Sequence, residues 1–255
     1  MTMERQSSNI PLIGIEQAAA QELAYIKGRR SGEIKSLKTP WEKFNRASMD
    51  GIEWGSIITI AGMSGSGKTT IVNELETGLF ELNLTEDFAV LSFNYEMIAR
   101  KLVGRKISKY LGKSVKQLYS ADDEQNISDE EIAQITRYVE TLNKYPIYYI
   151  DVPGTVNEIE NIIMQFHADN PSKKIIVSLD HSILIKKMPG QNQIDALYDL
   201  GAMFTKVKKI PGLHISFIIL SQLNRDIEKV ERKQDKRLHY PQKSDIFGAK
   251  KLAQY

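Results

Sequence analysis

The 255-residue chain is long enough for one large α/β domain with a small appendage, and its 42% hydrophobic and 26% charged residues are ordinary for a globular protein. No apolar run approaches the roughly 20 residues that span a bilayer, and "MTMERQSSNIPLIG" lacks the apolar core of a secretory signal. The absence of cysteine and the four scattered histidines exclude a structural zinc site. We therefore expect a cytoplasmic protein, and the net charge of +2 leaves nucleic-acid binding open.

The first predicted element is a helix over residues 15–27, "IEQAAAQELAYIK", which is rich in good helix formers. Its apolar face is narrow, so we expect it to dock on another surface. Gly28 and the basic stretch "RRSGEIK" then indicate a break before Pro40. The sequence thus predicts an N-terminal arm with a helix over residues 1–35, followed by one core domain over residues 36–255.

The core domain alternates short apolar strands with helices. Strands are predicted where apolar residues run together, at residues 55–61, 88–93, 146–151, 174–180 and 214–221. A capping-box signature at Ser128 and Glu131 predicts one helix, and apolar spacing predicts three more, at residues 98–111, 156–168 and 192–209. This alternation is typical of an α/β fold with a mostly parallel sheet covered by helices on both faces.

A phosphate-binding loop links the first core strand to the next helix in "ITIAGMSGSGKTTIV". Gly62, Gly67, Lys68 and Thr69 match the pattern G-x-x-x-x-G-K-[ST] in the strand-to-helix context that it requires. Backbone N–H groups of such a loop surround the β-phosphate, the lysine bridges the outer phosphates and the hydroxyl ligates Mg²⁺. We therefore assign nucleotide binding to Gly62, Met63, Ser64, Gly65, Ser66, Gly67, Lys68, Thr69 and Thr70.

Three further polar residues follow predicted strands, at the sheet edge where ligands collect in α/β folds. Asp180 ends the strand "KIIVSLD" and either holds Mg²⁺ through water or merely caps the strand. Glu96 follows "FAVLSF", where it can accept a proton from the water that attacks the γ-phosphate or can face a helix N-terminus. Gln222 ends the strand in "FIILSQLNRDIEKVERKQDKR" and can bond the γ-phosphate or simply be solvated.

These motifs and their spacing resemble the motor domain of DnaB-type replicative helicases, the hexameric RecA-fold ATPases of bacteria and their phages. "VLSFNYEMIARKLVGRKIS" is similar to the family's catalytic "SLEMS" segment, "YPIYYIDVPG" to its "PIYIDD" strand, and "IIVSLDHSILI" to its Walker B segment. The longest match is "ILSQLNRDIEKVERKQDKRLHYPQKSDI", which resembles the family's "LSQLNRxVExRxDKRPxxSDLRESG". The resemblance runs through most of the chain.

The resemblance implies an ATP-dependent DNA helicase motor that forms a hexameric ring and translocates 5′ to 3′ on single-stranded DNA. It implies that Lys68 and Thr69 bind ATP and Mg²⁺ at a subunit interface, and that Asp180 supports the metal. Glu96 corresponds to the general base, and Gln222 to the sensor of the γ-phosphate.

The resemblance also implies partners. The helix predicted at residues 15–27 lines up with the family's linker helix, which packs against the neighbouring subunit of the ring. The segment at residues 244–251 resembles the part of the family that faces single-stranded DNA, and we predict DNA contacts by Arg225, Lys250 and Lys251. A primase and a helicase loader are further expected partners, and a membrane is not.

Several positions depart from the family pattern. Gly65 and Ser66 stand where the family has Pro-Ser, a harmless change in a loop that binds through its backbone. His181 replaces the usual Tyr, and we interpret it as a packing residue. "FGAK" replaces Arg-Glu-Ser-Gly in the DNA-facing segment, which changes the expected phosphate contacts. The family's final strands and its arginine finger are not expected before Tyr255.

Three other functions remain compatible with the sequence. A RecA- or RadA-like recombination or loading ATPase would bind DNA without unwinding it. A catalytically silent relative would clamp DNA or recruit partners by nucleotide-dependent assembly. A small-molecule kinase would share the phosphate loop and would need a lid and a substrate pocket, neither of which the sequence indicates.

Overall fold

A computed structural model of the chain describes residues 12–122, 126–180, 182–234 and 240–246, without the side chains of Ile183, Arg225 and Lys233. The chain divides into two compact units, Met1–Ser36 and Leu37–Tyr255. No helix in the described ranges combines the length and the apolar character needed to cross a bilayer.

Helix α1 (Ile15–Ser31) is the helix of the first unit, and it is longer than the sequence predicts. The helix continues through Gly28, which is buried and packs so closely on Ile34 that a Cβ there would lie 2.7 Å from the Cδ1 atom of Ile34. The helix ends at Gly32, whose φ of +77° lies in the left-handed region that glycine adopts easily. The predicted helix over residues 15–27 is therefore present and continues four residues further.

The second unit is built on a five-stranded sheet, and all of its described pairings are parallel. Its strands are β1 (Ile57–Gly62), β2 (Phe88–Asn94), β3 (Ile147–Ile150), β4 (Lys174–Asp180) and β5 (Ile215–Gln222). They lie side by side in the order β1-β5-β4-β2-β3. All five correspond to the predicted strands, with small differences at the ends.

The helices of the second unit connect and cover these strands. They are α2 (Glu42–Ala47), α3 (Lys68–Leu82), α4 (Ala99–Leu111), α5 (Val115–Leu118), α6 (Asp129–Leu142), α7 (Val156–Asp169), α8 (Gln193–Val207) and α9 (Val230–Gln234). Short 3-10 turns occur at Ser182–Leu184, Arg225–Glu228 and Lys243–Asp245. The capping box predicted for α6 is present, since the Ser128 side chain accepts from the backbone of Glu131 and the Glu131 carboxylate accepts from the backbone of Ser128.

Each face of the sheet carries its own hydrophobic core. On one face, the buried side chains of α7 and α8 pack against β2, β4 and β5, with Phe93, Val177 and Phe217 at the centre. On the other face, α3 packs through Leu75 and Leu79 against the alternate residues of the same strands. The central strands β2, β4 and β5 are thus buried on both sides, which explains their nearly continuous apolar runs, whereas β1 and β3 are only partly buried. This arrangement confirms the predicted α/β fold class.

Candidate functional site

The sheet face beneath α3 becomes polar toward the carboxyl ends of the strands. Three register pairs between β2 and β4 on this face show the change. The first pair, Val90 with Ile176, is apolar, and the second, Ser92 with Ser178, carries two hydroxyls. The last pair, Asn94 with Asp180, carries an amide and a carboxylate. Five of these six residues are less than 4% exposed, and Asn94 is 4% exposed. The polar end of this face is the edge where parallel sheets bind ligands, and it meets the start of α3.

The loop between β1 and α3 has the geometry of an anion cradle. Gly65 and Gly67 adopt φ values of +73° and +89°, which a residue with a side chain rarely adopts. A Cβ on Gly62 would lie 2.4 Å from the Oγ atom of Ser66, so the turn closes tightly at this point. Gly67 provides no side-chain cap for α3, and the first N–H groups of this helix therefore remain available to a phosphate.

Lys68 lies folded across the phosphate loop and is only 8% exposed. Its Nζ atom donates to the backbone oxygens of Gly62 and Met63, at 3.0 and 2.8 Å. These carbonyl groups hold the ammonium group beside the start of α3. A nucleotide phosphate that enters the loop would offer the same cation a charged acceptor.

Thr69 and Asp180 join the phosphate loop to the end of β4. The Thr69 hydroxyl donates to Oδ2 of Asp180 at 2.7 Å, and Asp180 is 3% exposed. A hydroxyl and one carboxylate suit Mg²⁺, which usually takes one or two protein ligands and fills its other positions with phosphate oxygens and water. The described residues contain no cluster of three or more His, Cys, Asp or Glu side chains that would hold a metal by itself. A bound nucleotide would supply phosphate oxygens as further ligands to a Mg²⁺ ion held here.

Glu96 and Gln222 reach the same edge from β2 and β5, the two strands on either side of β4. The backbone oxygen of Asp180 accepts from the N–H of Tyr95 at 2.7 Å, which holds the chain just before the exposed Glu96. Gln222 is the register partner of Gly62, and the N–H of Leu223 donates to the Gly62 oxygen at 3.2 Å. The half-buried amide of Gln222 is thus fixed next to the phosphate loop.

These elements surround a cleft of about 510 Å³, within the usual size of small-molecule sites. Eight of the predicted site residues line it: Ser64, Gly65, Gly67, Lys68, Thr69, Thr70, Glu96 and Gln222. Gly62, Met63 and Ser66 belong to the body of the loop, and Asp180 lies behind Thr69. The structure therefore brings together the side chains that the sequence placed at the ends of different strands.

Arg105 also lines the cleft, and the sequence did not indicate it. It is half-buried on α4, nine residues after Glu96, and its guanidinium has no hydrogen bond or ion pair to the residues that the structure describes. Helical spacing alone does not separate it from the four other basic residues of α4, Arg100, Lys101, Lys106 and Lys109. Only the packing of the helix shows that this one cation faces the phosphate loop.

The segment after Gln222 is folded back on itself. Asn224 donates its backbone N–H to the oxygen of Asp245 at 2.6 Å, and Leu223 forms an isolated antiparallel bridge with Ile246. The Arg232 guanidinium donates hydrogen bonds to the buried Asp245 carboxylate, one of them 2.9 Å long. The hydrogen bonding to Arg232 lowers the pKa of Asp245. The described part of the charged stretch is therefore held in place by these contacts and is not a plain surface loop.

The predicted DNA contacts are described only in part. The backbone of Arg225 begins the 3-10 turn Arg225–Glu228, and its side chain lies outside the description. Lys250, Lys251 and His181 also lie outside the described residues.

Comparison with known proteins agrees with this architecture. A structure described as "ATPase Domain of G40P" superposes with a TM-score of 0.78 at 20% identity, covering 96% of this chain and 81% of that one. Another, "The Structure Of A DnaB-Like Replicative Helicase And Its Interactions With Primase", superposes with a TM-score of 0.77 at 19% identity, covering 95% of this chain and 56% of that one. These identities show a shared fold, and the predicted RecA-like α/β core is confirmed.

A comparison of sequences identifies the family to which this chain belongs. A search of curated proteins found no match. The sequence profile of the DnaB-like helicase C-terminal domain matches residues 36–254, which is most of the chain. The chain therefore belongs to the family of DnaB-like helicase C-terminal domains.

Proposed function

We propose that this chain is the ATP-hydrolysing motor of a replicative DNA helicase, acting as a hexameric ring on single-stranded DNA. The observation that carries the proposal is the convergence of Lys68, Glu96 and Gln222 on one cleft, beside the hydrogen bond from Thr69 to Asp180. A phosphate loop, a buried strand-end carboxylate, an exposed carboxylate and an amide are the parts that nucleotide-driven motors use. Membership of the helicase family supports the same activity.

Each side chain has a distinct task in the proposed hydrolysis. Water attacks the γ-phosphorus while the bond to the β–γ bridging oxygen breaks, and Glu96 on the rim accepts the proton of the water. Lys68 and Arg105 donate to the outer phosphate oxygens, where negative charge accumulates. Mg²⁺, held by Thr69 and through water by Asp180, would neutralise further phosphate charge.

Gln222 is proposed to report the γ-phosphate to the DNA-facing segment. Of the two residues that follow it, Leu223 is the bridge partner of Ile246 and Asn224 donates its N–H to the oxygen of Asp245. A shift at the end of β5 would therefore pass directly to this segment. DNA contacts by Arg225, Lys250 and Lys251 remain part of the proposal.

Assembly into a ring is supported by α1. Its apolar side chains Ile15, Leu23 and Ile26 are 86%, 52% and 53% exposed, so a surface of a neighbouring copy would remove them from water. We propose α1 as the linker helix that contacts the adjacent subunit. A primase is a candidate partner because one solved relative is described with its primase interactions. A helicase loader is proposed from family membership alone.

The proposed function predicts that single-stranded DNA raises the ATPase rate of an assembled ring. Phosphate release is measured with and without single-stranded DNA, and particle mass is measured at the same protein concentration. Equal rates together with a monomer at micromolar concentration would contradict the proposal. Strand displacement from a forked duplex then separates a helicase from a recombination or loading ATPase, because only the helicase unwinds the fork.

Arg232→Gln is expected to uncouple DNA binding from hydrolysis. The variant loses the ion pair that braces Asp245, but Arg232 lies outside the cleft, so ATPase activity without DNA stays unchanged. Stimulation by single-stranded DNA should fall about fivefold or more, as expected when a coupling contact between two sites is lost. Lys229→Gln is the matched control because it removes an exposed pair with Asp226 from the same segment. Unchanged stimulation in the Arg232 variant would refute the coupling path.

A further inference from the structure

A buried ion pair joins the helix that begins at the phosphate loop to the helix that carries Arg105. Nζ of Lys106 on α4 lies 2.9 Å from Oε2 of Glu76 on α3, and the two side chains are 3% and 4% exposed. Burial lowers the pKa of Lys106, and the Glu76 carboxylate opposes this shift. The hydroxyls of Ser92 and Ser178 donate to the other carboxylate oxygen. The pair is therefore almost completely buried between two helices and the sheet.

Stability alone does not explain a pair of this kind. Removing two charges from water costs more than their attraction often returns, and apolar residues of similar volume usually stabilise a core at least as well. Charged and hydrogen-bonded groups differ from apolar ones in requiring one geometry, because a small displacement leaves a buried charge without its partner. A buried pair between two helices is thus suited to fixing their relative position.

Further hydrogen bonds join the two helices, and each helix donates to the other. Lys106 also donates to the backbone oxygen of Asn73 on α3 at 2.7 Å. The side chain of Asn73 in turn donates to the backbone oxygen of Leu102 on α4 at 3.2 Å. Together with the bond to Glu76, these contacts restrict both sliding and rotation of α4 along α3.

The pair lies directly beside the proposed nucleotide site. Lys106 follows Arg105, which lines the cleft, and α3 starts at Lys68. On the sheet, Asn94 donates to Ser92 at 2.7 Å and is the register partner of Asp180. The polar network that begins at Lys106 thus extends to the strand pair that holds the strand-end carboxylate.

We propose that the buried Lys106–Glu76 pair is a positioning element of the nucleotide site, which holds α4 against α3 so that Arg105 reaches the outermost phosphate. The inference rests on the proposed function and adds to it a device for reading the γ-phosphate. Arg105 is the group that contacts the nucleotide, and Lys106 and Glu76 act only through it.

The test compares the affinities of the chain for Mg-ATPγS and Mg-ADP by calorimetry, because their ratio reports contacts to the outermost phosphate without requiring hydrolysis. Arg105→Ala should lower the preference for ATPγS about tenfold, the usual effect of losing one charged hydrogen bond. The double variant Glu76→Gln/Lys106→Met should lower it by a similar factor while the melting temperature stays near that of the wild type. Adding Arg105→Ala to the double variant should cost no more than about twofold further, because residues that act as a unit are not additive.

Lys109→Met is the matched control for this experiment. Lys109 pairs with Glu74 between the same two helices at 2.9 Å, but the side chains are 64% and 33% exposed. Exposed pairs contribute little, so the nucleotide preference should not change. If the double variant does not fold, Glu76→Asp carries the test, since it keeps a charge opposite Lys106 but draws the carboxylate back by one methylene. It too should lower the preference for ATPγS.

The outcomes are distinguishable. A folded double variant, or a folded Glu76→Asp variant, that keeps the wild-type preference overturns the positioning role. Additive losses on combination with Arg105→Ala also overturn it, as does a wild-type chain that binds ATPγS and ADP equally. A wild-type chain that binds neither nucleotide refutes the proposed function itself.

Discussion

Glu96→Gln is expected to lower the maximal rate of ATP hydrolysis by about 10²- to 10⁴-fold, the range that a general base contributes. Glutamine has nearly the same shape as glutamate but does not accept the proton of the attacking water. Glu96 is exposed at the rim of the cleft and has no hydrogen bond to a described residue, so the substitution disturbs no packing. Affinity for Mg-ATP should therefore stay within about threefold of the wild type.

The measurement is phosphate release at saturating ATP and single-stranded DNA, with nucleotide affinity measured separately. Glu140→Gln on α6 is the control, because this glutamate is also exposed and does not line the cleft. A Glu96 variant that hydrolyses ATP within about threefold of the wild type would show that another group activates the water. A wild-type chain without turnover, unchanged by the substitution, would favour the nucleotide-dependent clamp.

The fold was predictable because its strands lie in a parallel sheet that is buried on both faces. In such a sheet nearly every position of a central strand avoids water, so "KIIVSLD" in β4 is recognisable without any periodic pattern. Helix ends were predictable where a side chain makes the cap, as at Ser128. The end of α1 was missed because tertiary packing determines where this helix stops. Gly28 and Gly32 are equivalent as sequence signals, but only Gly32 leaves the helical conformation.

The residues of the candidate site that lie at strand ends or in one contiguous loop were predictable from the sequence. Lys68, Thr69 and Asp180 follow from local pattern, and the parallel sheet then brings them together. Arg105 and the Lys106–Glu76 pair were not predictable, because five of the thirteen residues of α4 are basic and such a helix resembles a solvated one. Which of these cations is buried depends on how α4 packs on α3, and a single sequence does not carry that information.

Substitution of Lys68, the lysine of the phosphate loop, is expected to have the second large effect, which is on nucleotide binding. In the structure, the ammonium group of Lys68 bonds to the oxygens of Gly62 and Met63. Both oxygens keep another donor without it, since Gly62 accepts from the N–H of Leu223 and Met63 from the N–H of Ser66, each at 3.2 Å. Replacing Lys68 with methionine therefore leaves no buried carbonyl without a partner, and we expect the fold to survive.

Lys68→Met should instead lower the affinity for Mg-ATP about 10- to 100-fold, which corresponds to the roughly 1.5–3 kcal/mol of a hydrogen bond to a charged group. Calorimetric titration with Mg-ATPγS measures the loss, and the melting temperature checks the fold. Lys101→Met, an exposed lysine of α4, is the control. Binding of the Lys68 variant within about threefold of the wild type would contradict the assignment of this lysine to the phosphates. The two variants then separate two steps of the proposed cycle. The Glu96 variant should bind ATP without cleaving it, whereas the Lys68 variant should fail at binding. An event that ATP binding alone drives, such as ring assembly, should therefore persist in the first variant and be lost in the second.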